Sequence, residues 1–223
     1  MYILLIGRKN CRYSRKIRFF LKKKVKKLDF LESSKRGEKI KINISKNKYD
    51  FIFCFRSLLI LKENFLKRVK ISAINFHPGM PNYRGTGCLN YALYDNSKYY
   101  GCTAHIIENN DIDNGSIIDF RKFKIGKKDT LDKLLNRTHQ EMYVQATYVI
   151  KKLLKNADNL NKMREKNKKI TWSGKIKKKS DLDKFYRIKI NSTKKEFEKK
   201  IRATYCKKFK PYLIIHGKKF VLN

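Results

Sequence analysis

The stretch Asp50-Phe-Ile-Phe-Cys-Phe55 constrains this chain more than any other. An unbroken apolar run of strand length fits a strand covered on both faces, as in a parallel sheet held between helical layers. Tyr2 to Ile6, ending at Gly7, repeats the pattern, and Ile17, Phe20, Leu21 and Val25 between them fall at helical spacing. Phe30-Leu31 reads as a short second strand before a polar stretch at 33–49. Leu58 to Val69 reads as a loop and short helix, and Ser72-Ala-Ile-Asn75 as the next strand. Strand–helix alternation of this kind predicts an α/β fold, a doubly wound and mostly parallel sheet with helices on both faces.

Further along, Gly87 to Tyr94 reads as a helix, and Thr103 to Ile107 and Ser116 to Phe123 as strands. Thr130 to Leu154 is a long amphipathic helix, capped by Thr130, with Leu131, Leu134 and Leu135 opening its apolar face. Lys155 to Lys169 has few large apolar residues and is expected to be exposed. Thr193-Lys-Lys-Glu196 matches a capping box that opens a helix through Thr204. Tyr212 to Ile215 and Lys218 to Leu222 then form a hairpin around His216-Gly217. The chain divides into a main domain at 1–155, a basic connecting segment at 156–172 and a small α+β appendage at 173–223. The appendage is too short for a large core of its own, so it is expected to pack on the main domain.

Lys and Arg number 56 against 19 Asp and Glu, a formal charge of +37. Such a chain attracts nucleic acid, anionic membranes or phosphorylated ligands. Here lysines occur in almost every segment rather than along one face, and Asn, Ile, Phe and Tyr are abundant too, as an AT-rich coding sequence gives. The charge is therefore read as composition that also steers anionic ligands, and nucleic acid is not an expected partner. Cys11, Cys54, Cys88, Cys102 and Cys206 show no metal-ligand spacing, so no metal is expected. Their odd, unpatterned number fits a reducing cytoplasm. Met1 to Ile6 is too short for a signal-peptide core, and no apolar run reaches the roughly 18–20 residues of a membrane span. A soluble cytoplasmic protein with no membrane partner is expected.

Candidate chemistry begins at Asn75-Phe-His77. Two residues apart, these side chains lie on one side of a strand end. Pro78, Gly79, Pro81 and Gly85 make a continued strand or helix unfavourable, so both are delivered at the mouth of a loop. Attack of an amine on an acyl carbon creates an oxyanion, an ammonium proton to remove and a leaving nitrogen to protonate. An Asn amide suits the oxyanion. A His donates to it or moves a proton. A nearby carboxylate raises the His pKa and accepts the amine proton. The loop Glu108-Asn-Asn-Asp-Ile-Asp-Asn-Gly115 can present Asp113 in a tight turn. By themselves the same residues also fit a structural pair and a turn residue, and spacing alone does not bring Asn75 and Asp113 together.

Three segments in order carry a resemblance: Ala73-Ile-Asn-Phe-His-Pro-Gly-Met-Pro-Asn-Tyr-Arg-Gly85, Tyr100-Gly-Cys-Thr-Ala-His-Ile-Ile107 and Asp111-Ile-Asp-Asn-Gly115. Together they resemble the formyltransferase domain that uses 10-formyltetrahydrofolate, with its N-x-H-P-S-L-L-P-x-Y-R/P-G segment, G-V-T-x-H strand and L-D-x-G loop. The resemblance covers about residues 1–125 and implies a Rossmann-like catalytic domain. It implies that Asn75 and His77 stabilise the tetrahedral intermediate and that Asp113 orders water and collects the amine proton. Leu59-Ile60-Leu61 matches a stretch whose backbone holds the pterin, with Leu where Arg is common. Asn109 to Ile112, including Asp111, matches the loop closing the pterin's other side.

The departures narrow the acceptor. His-Pro-Gly-Met-Pro is one residue shorter than the family segment, and Gly7-Arg-Lys-Asn10 lacks a Gly-Asn-Gly-Ser-Asn phosphate cradle. The resemblance is greatest to short enzymes that formylate a nucleotide-linked amino-dideoxy sugar, with Met80, Tyr83 and Arg84 facing that substrate. It is compatible with a homodimer. The alternative acceptor is methionyl-tRNA, favoured by the charge and opposed by too few residues for the extra barrel domain. A non-catalytic nucleic-acid-binding module is the alternative of another class. His105 is read as a structural histidine, His139 and His216 as solvent-facing or structural, Trp172 as an anchor for the tail, and Lys175 to Lys179 as a solvated charge run.

Overall fold

The apolar runs form the centre of a six-stranded sheet ordered β2-β1-β3-β4-β5-β6. The strands are β1 (Tyr2–Arg8), β2 (Lys27–Ser33), β3 (Tyr49–Phe55), β4 (Val69–His77), β5 (Tyr99–Ile106) and β6 (Ile117–Lys124). The structure, a computed structural model, describes residues 1–35, 38, 44, 46–109 and 111–222. Part of the polar stretch expected at 33–49 lies outside them, as does Asn110 of the expected pterin loop.

Alternation along β3 shows why every residue of its run is apolar. Phe51, Phe53 and Phe55 share one core with Ile3 and Leu5, packed against α1 (Arg12–Lys22) and α4 (Leu131–Lys155) through Ile17, Leu21, Met142, Ala146 and Ile150. Ile52 and Cys54 turn to the other face and pack with Leu4, Ile6, Leu61, Ala73 and Phe65 of α2 (Glu63–Leu66). Burial of each large apolar side chain contributes roughly 1.5–3 kcal/mol, so a strand apolar on both faces secures two layers at once.

The four strands β1 to β4 run parallel, and β5 and β6 are added antiparallel. The doubly wound, mostly parallel α/β sheet matches the sequence expectation. Because β1 pairs with β2 on one side and β3 on the other, strand order reverses at β1/β3. Several strands are longer than their apolar signals. β2 pairs with β1 along its whole length, Tyr2↔Lys27 to Arg8↔Ser33, and so recruits flanking polar residues around Phe30-Leu31.

The segment Lys155 to Lys169 is mostly exposed, as expected, but it also contains α5 (Asn159–Asn167). Leu160 is buried, Met163 packs on the same core, and Asn167 Nδ2 donates to the Ile118 carbonyl at 2.9 Å. Two apolar residues at helical spacing are enough to seat a short helix. Beyond it lie α6 (Lys179–Phe185), α7 (Lys194–Thr204) and the hairpin of β7 (Tyr212–Ile215) and β8 (Lys218–Val221). Thr193 caps α7, its hydroxyl accepting from the Glu196 N–H. This unit packs on α3 (Cys88–Tyr94), where Asn90 Nδ2 donates to the Ala203 carbonyl at 2.7 Å and to the Tyr186 hydroxyl at 3.2 Å.

Candidate active site

β4 ends in Asn75-Phe76-His77, and β5 lies antiparallel beside it with Asn75 opposite His105 and His77 opposite Thr103. That register places two histidines and an asparagine on one face at the mouth of the sheet. The His105 Nδ1–H donates to its neighbour's carbonyl on Ile106 at 2.9 Å, leaving Nε2 to accept from the Asn75 amide at 3.1 Å. The second N–H of Asn75 is not used in that bond.

Asp113 returns beside them. Its Oδ1 lies 3.2 Å from His77 Nδ1 and 3.6 Å from His105 Nε2, and its Oδ2 accepts from the Gly85 N–H at 2.8 Å. The residue adopts a left-handed backbone, φ 48°, as a tight Asp-Asn turn permits. Arg84 fastens the turn from outside: Nε donates to the Asp113 carbonyl at 2.8 Å, and Nη2 donates to the Ile112 carbonyl and Asn114 Oδ1. Gly115 is required by contact, since a Cβ there would lie 1.8 Å from the Ile106 carbonyl oxygen.

The electrostatics follow from burial. Burial alone would raise the Asp113 pKa, but the positive charge of His77 outweighs it and holds the carboxyl well below the usual carboxylate range. Burial alone would lower His77, but the Asp113 carboxylate overcomes it and raises the imidazole well above its ordinary value. His77 is then an imidazolium with both protons engaged, Nδ1–H on Asp113 and Nε2–H on the Tyr83 carbonyl at 2.9 Å. The shortened turn closes tightly around it. A Cβ on Gly79 would meet His77 Nε2 at 2.4 Å, while Thr103 and Tyr100 hydroxyls donate to the Gly79 and Pro78 carbonyls.

Asn75, His77 and Asp113 are thus brought together. His105, expected to be structural, joins them, and so does Trp172. The indole stands edge-on to both imidazoles, 5.7 Å from His77 and 5.0 Å from His105 between ring centres. Its Nε1–H donates to the Gly115 carbonyl at 2.7 Å, pinning the Asp113 loop. The only sequence signal for His105 is its place in the G-C-T-A-H strand, and for Trp172 its being the single tryptophan.

Leu59, Ile60 and Leu61 leave the end of β3: Ile60 is exposed, Leu61 is buried, and Leu59 packs with Ile107 on the same core. Ile107 leads directly into the segment that carries Asp113. Asn109 and Asp111 are exposed there and bonded to each other, Nδ2 to Oδ2 at 3.0 Å, and Ile112 is half-buried. Met80 and Tyr83 pack on the core beneath α3, and the Tyr83 hydroxyl is taken by Ser97 and Asp95. Outside them a cleft of about 410 Å³ is lined by Tyr83, Arg84, Tyr91, Tyr94, Lys177 and Phe185 among others.

The formyl transferase family profile matches residues 7–149, more than half of the chain. The bifunctional polymyxin resistance protein ArnA of Wigglesworthia glossinidia brevipalpis is 36% identical over 112 residues, 50% of this chain and 16% of that protein. The chain spans less than half the length of each curated relative it matches. Among solved structures, a sugar N-formyltransferase from Shewanella sp FDAARGOS_354 superimposes with a TM-score of 0.72 at 21% identity, covering 100% of this chain and 96% of that one. An N-formyltransferase from Helicobacter canadensis, in complex with folinic acid and dTDP-3-aminofucose, gives 0.68 at 19% identity over 98% of this chain and 86% of its own. At these identities the two structures speak for the fold.

Proposed function

We propose, from the premise that this chain belongs to the formyl transferase family, that it transfers the formyl group of 10-formyltetrahydrofolate to a primary amine on a nucleotide-linked amino-dideoxy sugar. The observation that carries this reading is the convergence of Asn75, His77, His105 and Asp113 within 3.1–3.6 Å contacts at the end of β4. The folate supplies an activated formyl carbon. Leu59 to Leu61 and the segment from Asn109 through Asp111 to Ile112 would flank its pterin, since Leu59, Leu61 and Ile107 pack with Ala73, which shares a strand face with Asn75 and His77.

The chain's own residues then divide the work. Asn75, oriented by His105, directs its remaining N–H at the oxygen that becomes negative when the amine adds to the formyl carbon. His77 has both protons engaged, so it acts as a fixed buried positive charge rather than a mobile proton carrier. It keeps Asp113 ionised, and Asp113, through water, accepts the proton lost by the attacking amine and passes it to the folate nitrogen as that nitrogen's bond to the formyl carbon breaks. Met80, Tyr83 and Arg84 border the acceptor side. Arg84 serves there mainly by holding the 112–114 turn, because its guanidinium is already bonded to it.

A formylation assay with 10-formyltetrahydrofolate against UDP- and dTDP-linked amino sugars tests the reading. Product with at least one sugar, lost in Asn75→Ala and Asp113→Ala, is expected; folate binding without formylation of any member of the panel overturns it. Methionyl-tRNA is the second reading, carried by the charge of +37, and the same assay with charged tRNA separates the two. Our reading includes a homodimer in the cytoplasm with no nucleic-acid partner, checked by light scattering and by salt titration of RNA binding. Among the described residues no helix is long and apolar enough to cross a membrane.

A further inference from the structure

The appendage and the main domain meet around the cleft of about 410 Å³, which lies within the size range of small-molecule sites. Its walls carry three rings, Tyr91, Tyr94 and Phe185, and three cations, Arg84, Lys175 and Lys177. We propose that this cleft binds a nucleoside monophosphate, apart from the acceptor, and that its occupant acts on His77 from behind.

The rings meet as one apolar corner. Phe185, at the end of α6, stands tilted against Tyr91 with ring centres 4.8 Å apart, and almost perpendicular to Tyr94 at 5.1 Å. Lys199 and Lys200 of α7 lie over Tyr94 and Phe185 yet line no part of the cleft, so they cover those rings from outside it.

Positive charge is built into the same walls. Lys177 is placed by its backbone: its N–H donates to the Arg84 carbonyl at 3.1 Å, and its carbonyl accepts from the Thr86 N–H at 2.8 Å. Gly85 permits that approach, since a Cβ there would lie 2.2 Å from the Lys177 carbonyl oxygen. The Lys177 ammonium stands 5.2 Å from the centre of the Tyr91 ring, so cation and ring share one spot. Arg84 uses Nε and Nη2 on the 112–114 turn, and its Nη1 makes no hydrogen bond among the described residues. Asp95, the acid in the lining, already accepts from the Tyr83 hydroxyl at 3.1 Å.

Size and chemistry select the occupant. Inorganic phosphate would use the cations and leave the rings idle, and a neutral apolar ligand would do the opposite. A base stacks on Tyr and Phe faces whatever its identity, and a phosphate pairs with Lys and Arg. The volume lies near the lower end of the range and suits one nucleotide rather than a dinucleotide or a peptide.

The cleft is separate from the catalytic corner yet touches it. Asn75, His77, His105 and Asp113 line no part of it. The 83–88 segment stands between, its Gly85 N–H on Asp113 Oδ2 and the same glycine against Lys177. Two lining residues reach through to His77. The Tyr83 carbonyl accepts its Nε2–H at 2.9 Å, and Cys88 Sγ lies 3.7 Å from that nitrogen. A ligand pressed against Tyr83 and Cys88 therefore moves the groups that fix the imidazole. The binding site stands without the proposed function, and its effect on formyl transfer rests on that reading.

Adenosine monophosphate (AMP) is the probe, because the amino sugars of the assay carry pyrimidines. Calorimetry should give saturable binding to the wild-type protein, weakened about tenfold or more in Tyr91→Leu and Lys177→Gln. Binding should be unchanged in Lys162→Gln, an exposed charge on α5. Equal weakening in all three variants, or adenosine or inorganic phosphate binding as well as AMP, overturns the site. Should a variant fail to fold, NMR of the wild-type protein decides: base protons of AMP should show Overhauser contacts to the Tyr91 and Phe185 rings, and their absence overturns the proposal. AMP should also displace the His77 ring resonances, and unchanged resonances at saturation overturn the link to the catalytic corner. In the formylation assay AMP should lower kcat without raising KM for the amino sugar. Purely competitive inhibition would put AMP in the acceptor site and overturn the proposal. AMP binding without formylation of any amino sugar would leave the site standing and remove the function, and formylation with no AMP binding would do the reverse.

Discussion

The charged exterior and the corner at the end of β4 use ionic groups in opposite ways. Outside, Lys67–Glu63 and Lys168–Glu165 form ion pairs one helical turn apart, with side chains about two-thirds exposed. Inside, Asp113 is the one buried carboxylate among the described residues, and its partners His77 and His105 are equally enclosed. Exposed pairs are typically worth about 0.2–1 kcal/mol because water and salt screen them. Two charges 4 Å apart attract by about 4 kcal/mol gross at an effective dielectric near 20, and removing one partner leaves the other buried and uncompensated. A chain with a formal charge of +37 therefore concentrates its electrostatic specificity in one negative charge.

Asp113→Asn removes that charge while keeping the shape, and should break the comparison most completely. The expected loss in kcat/KM is roughly 10²–10⁴-fold, with the His77 titration falling toward its ordinary value by NMR. Retention of a raised His77 would remove Asp113 as its cause. Trp172→Ala leaves both charges in place and unpins Gly115. Misplacing the Asp113 turn by about 1 Å should lower kcat up to about 100-fold while circular dichroism stays unchanged. A purely structural tryptophan would instead lower thermal stability and spare kcat.

The pair also predicts a pH profile of stability. Asp113 has a folded pKa below its unfolded value near 3.9, so its contribution is present above about pH 4 and is lost as pH falls through the folded value. His77 has a folded pKa above its unfolded value near 6.5, so its contribution is complete below about pH 6.5 and is lost as pH rises through the folded value. Urea midpoints should therefore be highest between about pH 4 and 6.5 from this pair, and Asp113→Asn should flatten both limbs. At the other extreme, Glu63→Gln should change stability by about 0.5 kcal/mol or less and lose even that in high salt. An effect as large as that of Asp113→Asn would erase the distinction between exterior and corner.

Legibility followed the range of the interactions. The two faces of β3 and the pairing of Asn75 with His77 on one side are local consequences of strand geometry, and both could be read from the chain. Asp113 came into view through the resemblance of its loop, since nothing in spacing joins it to a strand 36 residues upstream. That His105 is a satisfied buried histidine is legible in its apolar strand, but its facing Asn75 is a matter of antiparallel register, which one strand does not reveal. Trp172 lay in a segment read as connector and tail, and α5 was hidden because Leu160 and Met163 are too sparse a stripe to stand out among lysines. The bonds of Arg84 to the 112–114 turn depend on a contact 28–30 residues away, which the local sequence does not show.

The indole that fastens Gly115 comes 57 positions later in the chain. A ribosome delivers the chain N-terminus first. All six strands can therefore emerge and pair before the fastener leaves the exit tunnel. During that interval the sheet exists and the Asp113 turn is held by Arg84 and Gly85, so the last third of the chain adds the final fastening to a loop the fold already displays.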